Sequence, residues 1–104
     1  MTTTGRRLHA IIRGRVQGVG FRATTQQAGR KLGLSGWVRN GADGTVEVEA
    51  EGDEATLKTF LEYLNTGPLG AHVDAVTVDW LTVPSKSSPE QGGPAASFEV
   101  RRTQ

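Results

Sequence analysis

The chain has 104 residues, of which 36% are hydrophobic and 22% charged, with a formal net charge of +1. This size and composition predict one globular domain over residues 1–104, able to bury its own core and neither disordered nor membrane-spanning. Cysteine is absent, which excludes disulfides, thiolate metal sites and a cysteine nucleophile; no apolar run approaches the ~20 residues of a membrane helix, and the opening MTTTGRR lacks a secretory apolar stretch, so a soluble cytoplasmic protein is expected.

Residues 1–6 read as a flexible N-terminus. Leu8 to Arg13 is short, apolar and β-branched and predicts the first strand. From Phe21 to Leu32 the pattern turns helical: Phe21, Ala28 and Leu32 recur at helical spacing among Gln26, Gln27, Arg30 and Lys31, and Gly33 is a stop signal. Trp37 to Asn40 and Val46 to Glu51 form the arms of a hairpin across Gly41-Ala42-Asp43-Gly44, the second arm alternating valine or alanine with glutamate. Asp53 then caps a second helix whose Leu57, Phe60, Leu61 and Leu64 make one apolar stripe. Asn65-Thr66-Gly67-Pro68 ends it, with Gly67 suited to a left-handed cap. Val76, Val78 and Trp80 alternate in another strand. Pro84 to Ala96 is rich in Pro, Gly and Ser and reads as a mobile loop. Ser97 to Arg101 returns as an edge strand.

This order predicts a ferredoxin-like α+β fold with split βαβ connections. The expected sheet is antiparallel, with two helices on one face and a short extra C-terminal edge strand.

Charge is unevenly distributed. Up to Ala42 there are eight basic residues (Arg6, Arg7, Arg13, Arg15, Arg22, Arg30, Lys31 and Arg39) and no acid, and all eleven acids lie from Asp43 onward. If the first third forms one mouth, that mouth favours an anion; the alternative is a scatter of solvated charges. A pI near 8.2 is low for a dedicated duplex-DNA binder.

The stretch GRVQGVGFR, Gly14 to Arg22, joins the first strand to the first helix. A loop at a helix N-terminus presents unpaired backbone N–H groups, and the helix dipole adds positive potential. Gly18 and Gly20 permit positive φ and close approach to a ligand. Together these make an anion nest suited to phosphate, to which Arg22 adds a fork of donors. The spacing fits neither a P-loop nor the dinucleotide fingerprint. The residues alone leave two readings open: an anion site, or a tight turn beside a surface arginine. Asn40, at the end of GWVRN, is open in the same way. It is a natural turn residue, yet the split βαβ topology can bring it to the end of the sheet where the glycine loop lies.

VQGVGFR followed by TQ, then KLGLSGWVRN, closely resembles the acylphosphatase family. GADGTVEVEAEG, the LKTFLEYL helix and GPLGAHVDAV extend the resemblance over Leu8 to Leu81. It implies hydrolysis of the carboxyl–phosphate anhydride of a small-molecule acyl phosphate, without metal or cofactor. It implies Arg22 as the phosphate-binding arginine and Asn40 as the residue holding the attacking water, both catalytic. The backbone amides of Val16, Gln17, Gly18, Val19, Gly20 and Phe21 are implied as the phosphate cradle. A monomer is expected, with neither nucleic acid nor membrane as partner.

Other residues attract structural readings. His9 and His72 are conceivable phosphoryl-transfer nucleophiles, but neither shows a partner carboxylate in sequence, so structural or surface roles are expected. Glu47, Glu49 and Glu51 read as a solvated strand face rather than a metal site. Trp37 and Trp80 read as packing residues, with Trp37 near the expected site. The rival functions are an RNA-binding sheet, for which only six aromatics exist and none paired as base-stacking requires, and the acylphosphatase-like domain of a carbamoyl-transfer maturation protein. Against the latter, the chain reads as a free-standing unit without zinc-type cysteines.

Overall fold

Alternating apolar side chains pair five segments into one sheet in the computed structural model, which describes residues 5 to 82 and 97 to 102. The strands are β1 (Arg6–Arg15), β2 (Ser35–Asn40), β3 (Val46–Gly52), β4 (His72–Thr82) and β5 (Phe98–Val100); the helices are α1 (Phe21–Lys31) and α2 (Glu54–Thr66). Strand order is β4-β1-β3-β2-β5. Both helices cover one face, which is the ferredoxin-like α+β arrangement. The expected 84–96 loop and residues 1–4 of the expected flexible terminus lie outside the described residues.

One expectation about the sheet is corrected. Four strands pair antiparallel, but β5 runs parallel to β2, with Gly36 opposite Phe98 and Val38 opposite Val100. The sheet is therefore mixed. The reason is topological: β4 runs against β1 and β2, so a single reversal after β4 returns the chain along the far edge in the direction of β2.

The expected flexibility through Arg6 is also corrected. Arg6 already pairs with Gly52 and Thr82, and its guanidinium lies 3.1 Å from Glu54 and 5.0 Å from the centre of the Trp80 ring. At its other end β1 carries a bulge between Arg13 and Gly14. Gly14 has φ 132°, and a Cβ there would strike the His72 carbonyl. Only glycine lets β4 close on β1 at this point.

Parity sorts the side chains. Leu8, Ala10 and Ile12 of β1, Val46, Val48 and Ala50 of β3, Val38 of β2 and Phe98 of β5 are all buried beneath the helices. On α2, Leu57, Phe60 and Leu64 are buried and Leu61 is half-buried, as the stripe predicts. Asp53 precedes α2, but its carboxylate accepts from the Thr56 hydroxyl at 2.7 Å rather than from a backbone N–H. Gly67 does take positive φ, yet at φ 71° and ψ 178° it sits in the extended glycine-only region rather than the left-handed helical well.

On α1 the buried stripe is rotated from the expected one. Phe21, Thr25 and Gly29 are buried, while Ala28 and Leu32 only pack at the margin. Gly29 has no side chain, so the Phe98 ring closes directly on the helix; a Cβ there would overlap the ring, with Phe98 Cε2 and Cγ each 2.7 Å away. Phe98 in turn meets Phe60 edge-on, with centroids 5.6 Å apart. No helix among the described residues is long and apolar enough to cross a membrane.

Candidate phosphate-binding site

The site begins where β1 gives out. Val16 drops into the core, fully buried, and residues 17 to 20 bend sharply before α1 starts at Phe21. Gly18 and Gly20 have φ of 79° and 78°, a region where an L side chain costs about 1 kcal/mol or more. Gly20 is the N-cap of α1 and supplies no side chain to the first turn, which also contains no acid. The helix dipole is therefore uncompensated there, and the turn carries net positive potential. Among the described residues, no loop or cap hydrogen bond uses the N–H groups of Gln17 to Gly20. Such a concavity favours an anion.

Two tethers hold this loop. The Gln17 side-chain amide donates to the carbonyls of Gly41 and Thr45, at 2.9 and 2.8 Å, fixing the loop to the β2–β3 turn just beyond Asn40. That turn is itself closed by Asp43, whose carboxylate accepts from the Thr45 hydroxyl at 2.6 Å and from its N–H at 3.2 Å. Those bonds hold the Asp43 carboxyl below its ordinary value. The second tether comes from α2: the Tyr63 hydroxyl donates to Thr24 Oγ1 at 2.6 Å, and Thr24 donates to the Gly20 carbonyl at 3.1 Å.

Between loop and sheet lies a cavity of about 250 Å³ lined by Val16, Gly18, Gly20, Phe21, Arg22, Ala23, Asn40 and Val100. It brings Arg22, from the first turn of α1, together with Asn40, from the last residue of β2. Both are half-buried. Asn40 does not have positive φ, so no left-handed turn position requires an asparagine there. Among the described residues, neither the Arg22 guanidinium nor the Asn40 carboxamide has a side-chain hydrogen bond or ion pair. Of the expected cradle residues, Gln17 and Val19 are not on the cavity wall; Gln17 is spent on its tether and Val19 packs against the core.

The remaining expectations are sorted by sheet face. Of the eight early basic residues only Arg22 lines the cavity; Arg6 pairs with Glu54, and Arg7 and Arg39 pair with glutamates of β3 on the helix-free face. The early charge excess is thus not one electropositive mouth. His9 does have a carboxylate partner, Glu47 at 2.6 Å, and His72 has Asp74 at 3.0 Å; cross-strand register supplies the first, which sequence spacing hides. Neither histidine lines the cavity. Glu47, Glu49 and Glu51 are half-buried and ion-paired rather than simply solvated. Trp37 is not near the cavity. By strand parity it faces the other side of the sheet, between the guanidinium groups of Arg39 and Arg101 at 5.0 and 4.9 Å.

Sequence reasoning missed the Gln17 amide as a tether, the Tyr63–Thr24 brace, and Ala23 and Val100 as lining residues. Val100 could be found only by knowing that β5 docks beside β2.

Fold and site together define a small ferredoxin-like α+β domain with an anion cleft at the head of its first helix. A family model described as Acylphosphatase matches residues 8–90, and the chain belongs to the acylphosphatase family. It is 49% identical to the acylphosphatase of Salinibacter ruber over 79 residues, 76% of this chain and 83% of that one. Among solved structures, the acylphosphatase from Bacillus subtilis superposes with TM-score 0.77 at 35% identity, covering 92% of this chain and 98% of that one. Full-length HypF in its phosphate- and nucleotide-bound form gives TM-score 0.79 at 25% identity, covering 99% of this chain but 13% of that one.

Proposed function

We propose that the protein hydrolyses small acyl phosphates, splitting the carboxyl–phosphate anhydride into a carboxylate and inorganic phosphate. The observation that carries this reading is the meeting of Arg22, Asn40 and the glycine loop around one cavity, in a chain of the acylphosphatase family.

The leaving group of an acyl phosphate is a weakly basic carboxylate, so the reaction needs neither a strong base nor a covalent nucleophile. It needs a cradle for a phosphoryl group whose oxygens share the charge, and a water held in line behind phosphorus. The cavity-lining backbone of Val16, Gly18, Gly20 and Phe21 and the Arg22 guanidinium meet the first need. The Asn40 carboxamide oxygen meets the second by accepting a hydrogen bond from the water. The water oxygen attacks phosphorus, the bond from phosphorus to the acyl oxygen breaks, and the carboxylate departs with the electron pair. Asparagine is no base at neutral pH, so the proton passes to a phosphoryl oxygen. No part of this division of labour calls for a metal or cofactor.

The test is phosphate release from benzoyl phosphate with a chelator present. Wild type is expected to turn over, and Arg22→Ala to lose on the order of 10³ in kcat/KM, the scale on which arginines act in phosphoryl transfer. A requirement for a divalent metal, or an Arg22→Ala protein as active as wild type, overturns the mechanism.

A further inference from the structure

The brace from α2 reaches the cradle through a single peptide plane. Leu57, Phe60 and Leu64 of α2 are buried, and Tyr63, one residue before Leu64, lies half-buried at the margin of that stripe. Its ring packs against Phe21, with centroids 6.3 Å apart and planes tilted by 58°. Its hydroxyl donates to Thr24 Oγ1 at 2.6 Å. Gly67, just past the helix, donates its N–H to the Tyr63 carbonyl at 2.7 Å, and a Cβ there would sit 2.9 Å from the Phe21 ring. The end of α2 thus grips the first turn of α1 at both Phe21 and Thr24.

The grip bears on one backbone donor. The Gly20 carbonyl accepts twice, from the Thr24 N–H at 3.0 Å and from the Thr24 hydroxyl at 3.1 Å. That carbonyl shares a planar trans peptide with the N–H of Phe21. The two groups point opposite ways, so a carbonyl held along the helix aims the N–H out of the helix head. Phe21 lines the cavity, and among the described residues its N–H donates to no loop or cap carbonyl. Two donors on the carbonyl also polarise the peptide and strengthen its N–H. Thr24 has one hydroxyl proton and two carbonyls in reach, Gly20 at 3.1 Å and Phe21 at 3.2 Å. While Tyr63 donates to the threonine oxygen, that proton stays with the backbone. Without the Tyr63 hydroxyl, Thr24 loses the partner that α2 provides and is free to turn to water.

We infer that Tyr63 is a positioning residue for phosphate recognition, acting through Thr24 on the peptide whose N–H projects from the head of α1. Neither Tyr63 nor Thr24 lines the cavity, so neither touches the substrate. The inference rests on the acylphosphatase reading of that cleft.

The experiment measures two quantities: the Kd of inorganic phosphate by amide-shift titration, and kcat/KM for benzoyl phosphate. The proteins are wild type, Tyr63→Phe, Thr24→Val, Thr24→Ser and the double variant Tyr63→Phe/Thr24→Val, all held at a temperature where thermal melts show them folded. Phenylalanine keeps the ring against Phe21 and removes only the O–H. Tyr63→Phe is expected to weaken phosphate binding and to lower kcat/KM by about three- to tenfold each, the scale of one hydrogen bond. Thr24→Val should lose at least as much, and Thr24→Ser, which keeps a hydroxyl, should recover most of it. The double variant should be no worse than Thr24→Val alone, because the path is already cut. Unchanged phosphate affinity in Tyr63→Phe, or losses that multiply in the double variant, overturns the positioning role. A wild type that binds phosphate but leaves benzoyl phosphate intact overturns the hydrolase reading, and the phosphate constants still decide the relay. A wild type that binds no phosphate overturns both.

Discussion

At the scale of single residues, Arg22 stands out because its position is electrostatically unfavourable without a ligand. A cation in the first turn of a helix opposes the dipole, and α1 places no acid there to offset it. A dianion in the cleft is attracted by both the guanidinium and the dipole, and these attractions offset the repulsion between the two, which ties the arginine's position to binding. The guanidinium also presents two parallel donors that an ammonium group cannot reproduce. Arg22→Lys is therefore expected to fall within about tenfold of Arg22→Ala, both losing on the order of 10³ in kcat/KM; a lysine variant near wild-type rate would show that charge alone suffices. In the proposed mechanism Asn40 acts at a different step. If it orients water and does not grip phosphate, Asn40→Ala lowers kcat by about 10²-fold, the usual loss when a reacting group is misplaced, while competitive inhibition by inorganic phosphate keeps its wild-type constant. Parallel loss of turnover and phosphate inhibition would move Asn40 into the cradle.

At the scale of elements, the head of α1 is positioned by what packs along its length. The helix lies on Phe98 at Gly29, and the Gln26 amide donates to the Phe98 carbonyl at 3.1 Å. Two effects compete in Gly29→Ala. Alanine favours a helix by about 0.8–1.0 kcal/mol, whereas overfilling a packed core costs about 1–3 kcal/mol. The Phe98 ring is fully buried and braced by Phe60, so it has no room to yield, and overfilling should win. A net loss near 1 kcal/mol, read as a lower urea midpoint, is expected, with Phe98→Leu in the same chain recovering part of it. A stabilised Gly29→Ala protein would show that the ring moves freely. This contact also marks the limit of what the sequence discloses. The α2 stripe and the alternation of Val46, Val48 and Ala50 are local patterns and were legible. The stripe on α1 was not, because its partner arrives from the far end of the chain and glycine carries no apolar signal. The same holds for the site. Arg22 and the glycines could be read as a nest or a turn, and Asn40 as a turn residue. Their meeting depends on strand order, which the split βαβ pattern made possible and the family resemblance made specific.

At the scale of the whole molecule, the sheet separates chemistry from charge. The cleft lies on the helix side and at one end, while the opposite face carries a lattice of polar contacts: ion pairs from Arg7 and Arg39 and a hydrogen bond from His9, on flanking strands, to Glu47, Glu49 and Glu51 on β3. Glu47 is the centre of this lattice, receiving His9 at 2.6 Å and Arg39 at 2.7 Å. Its partial burial pushes the carboxyl up, but the hydrogen bonds from His9 and Arg39 outweigh that and hold it below its ordinary value near 4.5. A carboxyl depressed on folding stabilises the native state above its unfolded pKa and loses that contribution as pH falls through the folded one. Wild type should therefore exceed Glu47→Gln in stability by about 1.5–3 kcal/mol at neutral pH, the range for hydrogen bonds to charged groups. The difference should stay level down to about pH 5 and then shrink with further acidification, as Glu47 protonates in the wild type. Urea unfolding of both proteins across that range measures it directly. Because Glu47 lies on the face away from the cleft, its replacement should leave kcat/KM for benzoyl phosphate at the wild-type level at neutral pH, under conditions where both proteins are folded. A stability difference that is constant with pH would remove Glu47 as the titrating group. A fall in turnover would show that the two faces of the sheet are coupled, with strain on the charged side reaching Asn40 through the β2–β3 hairpin.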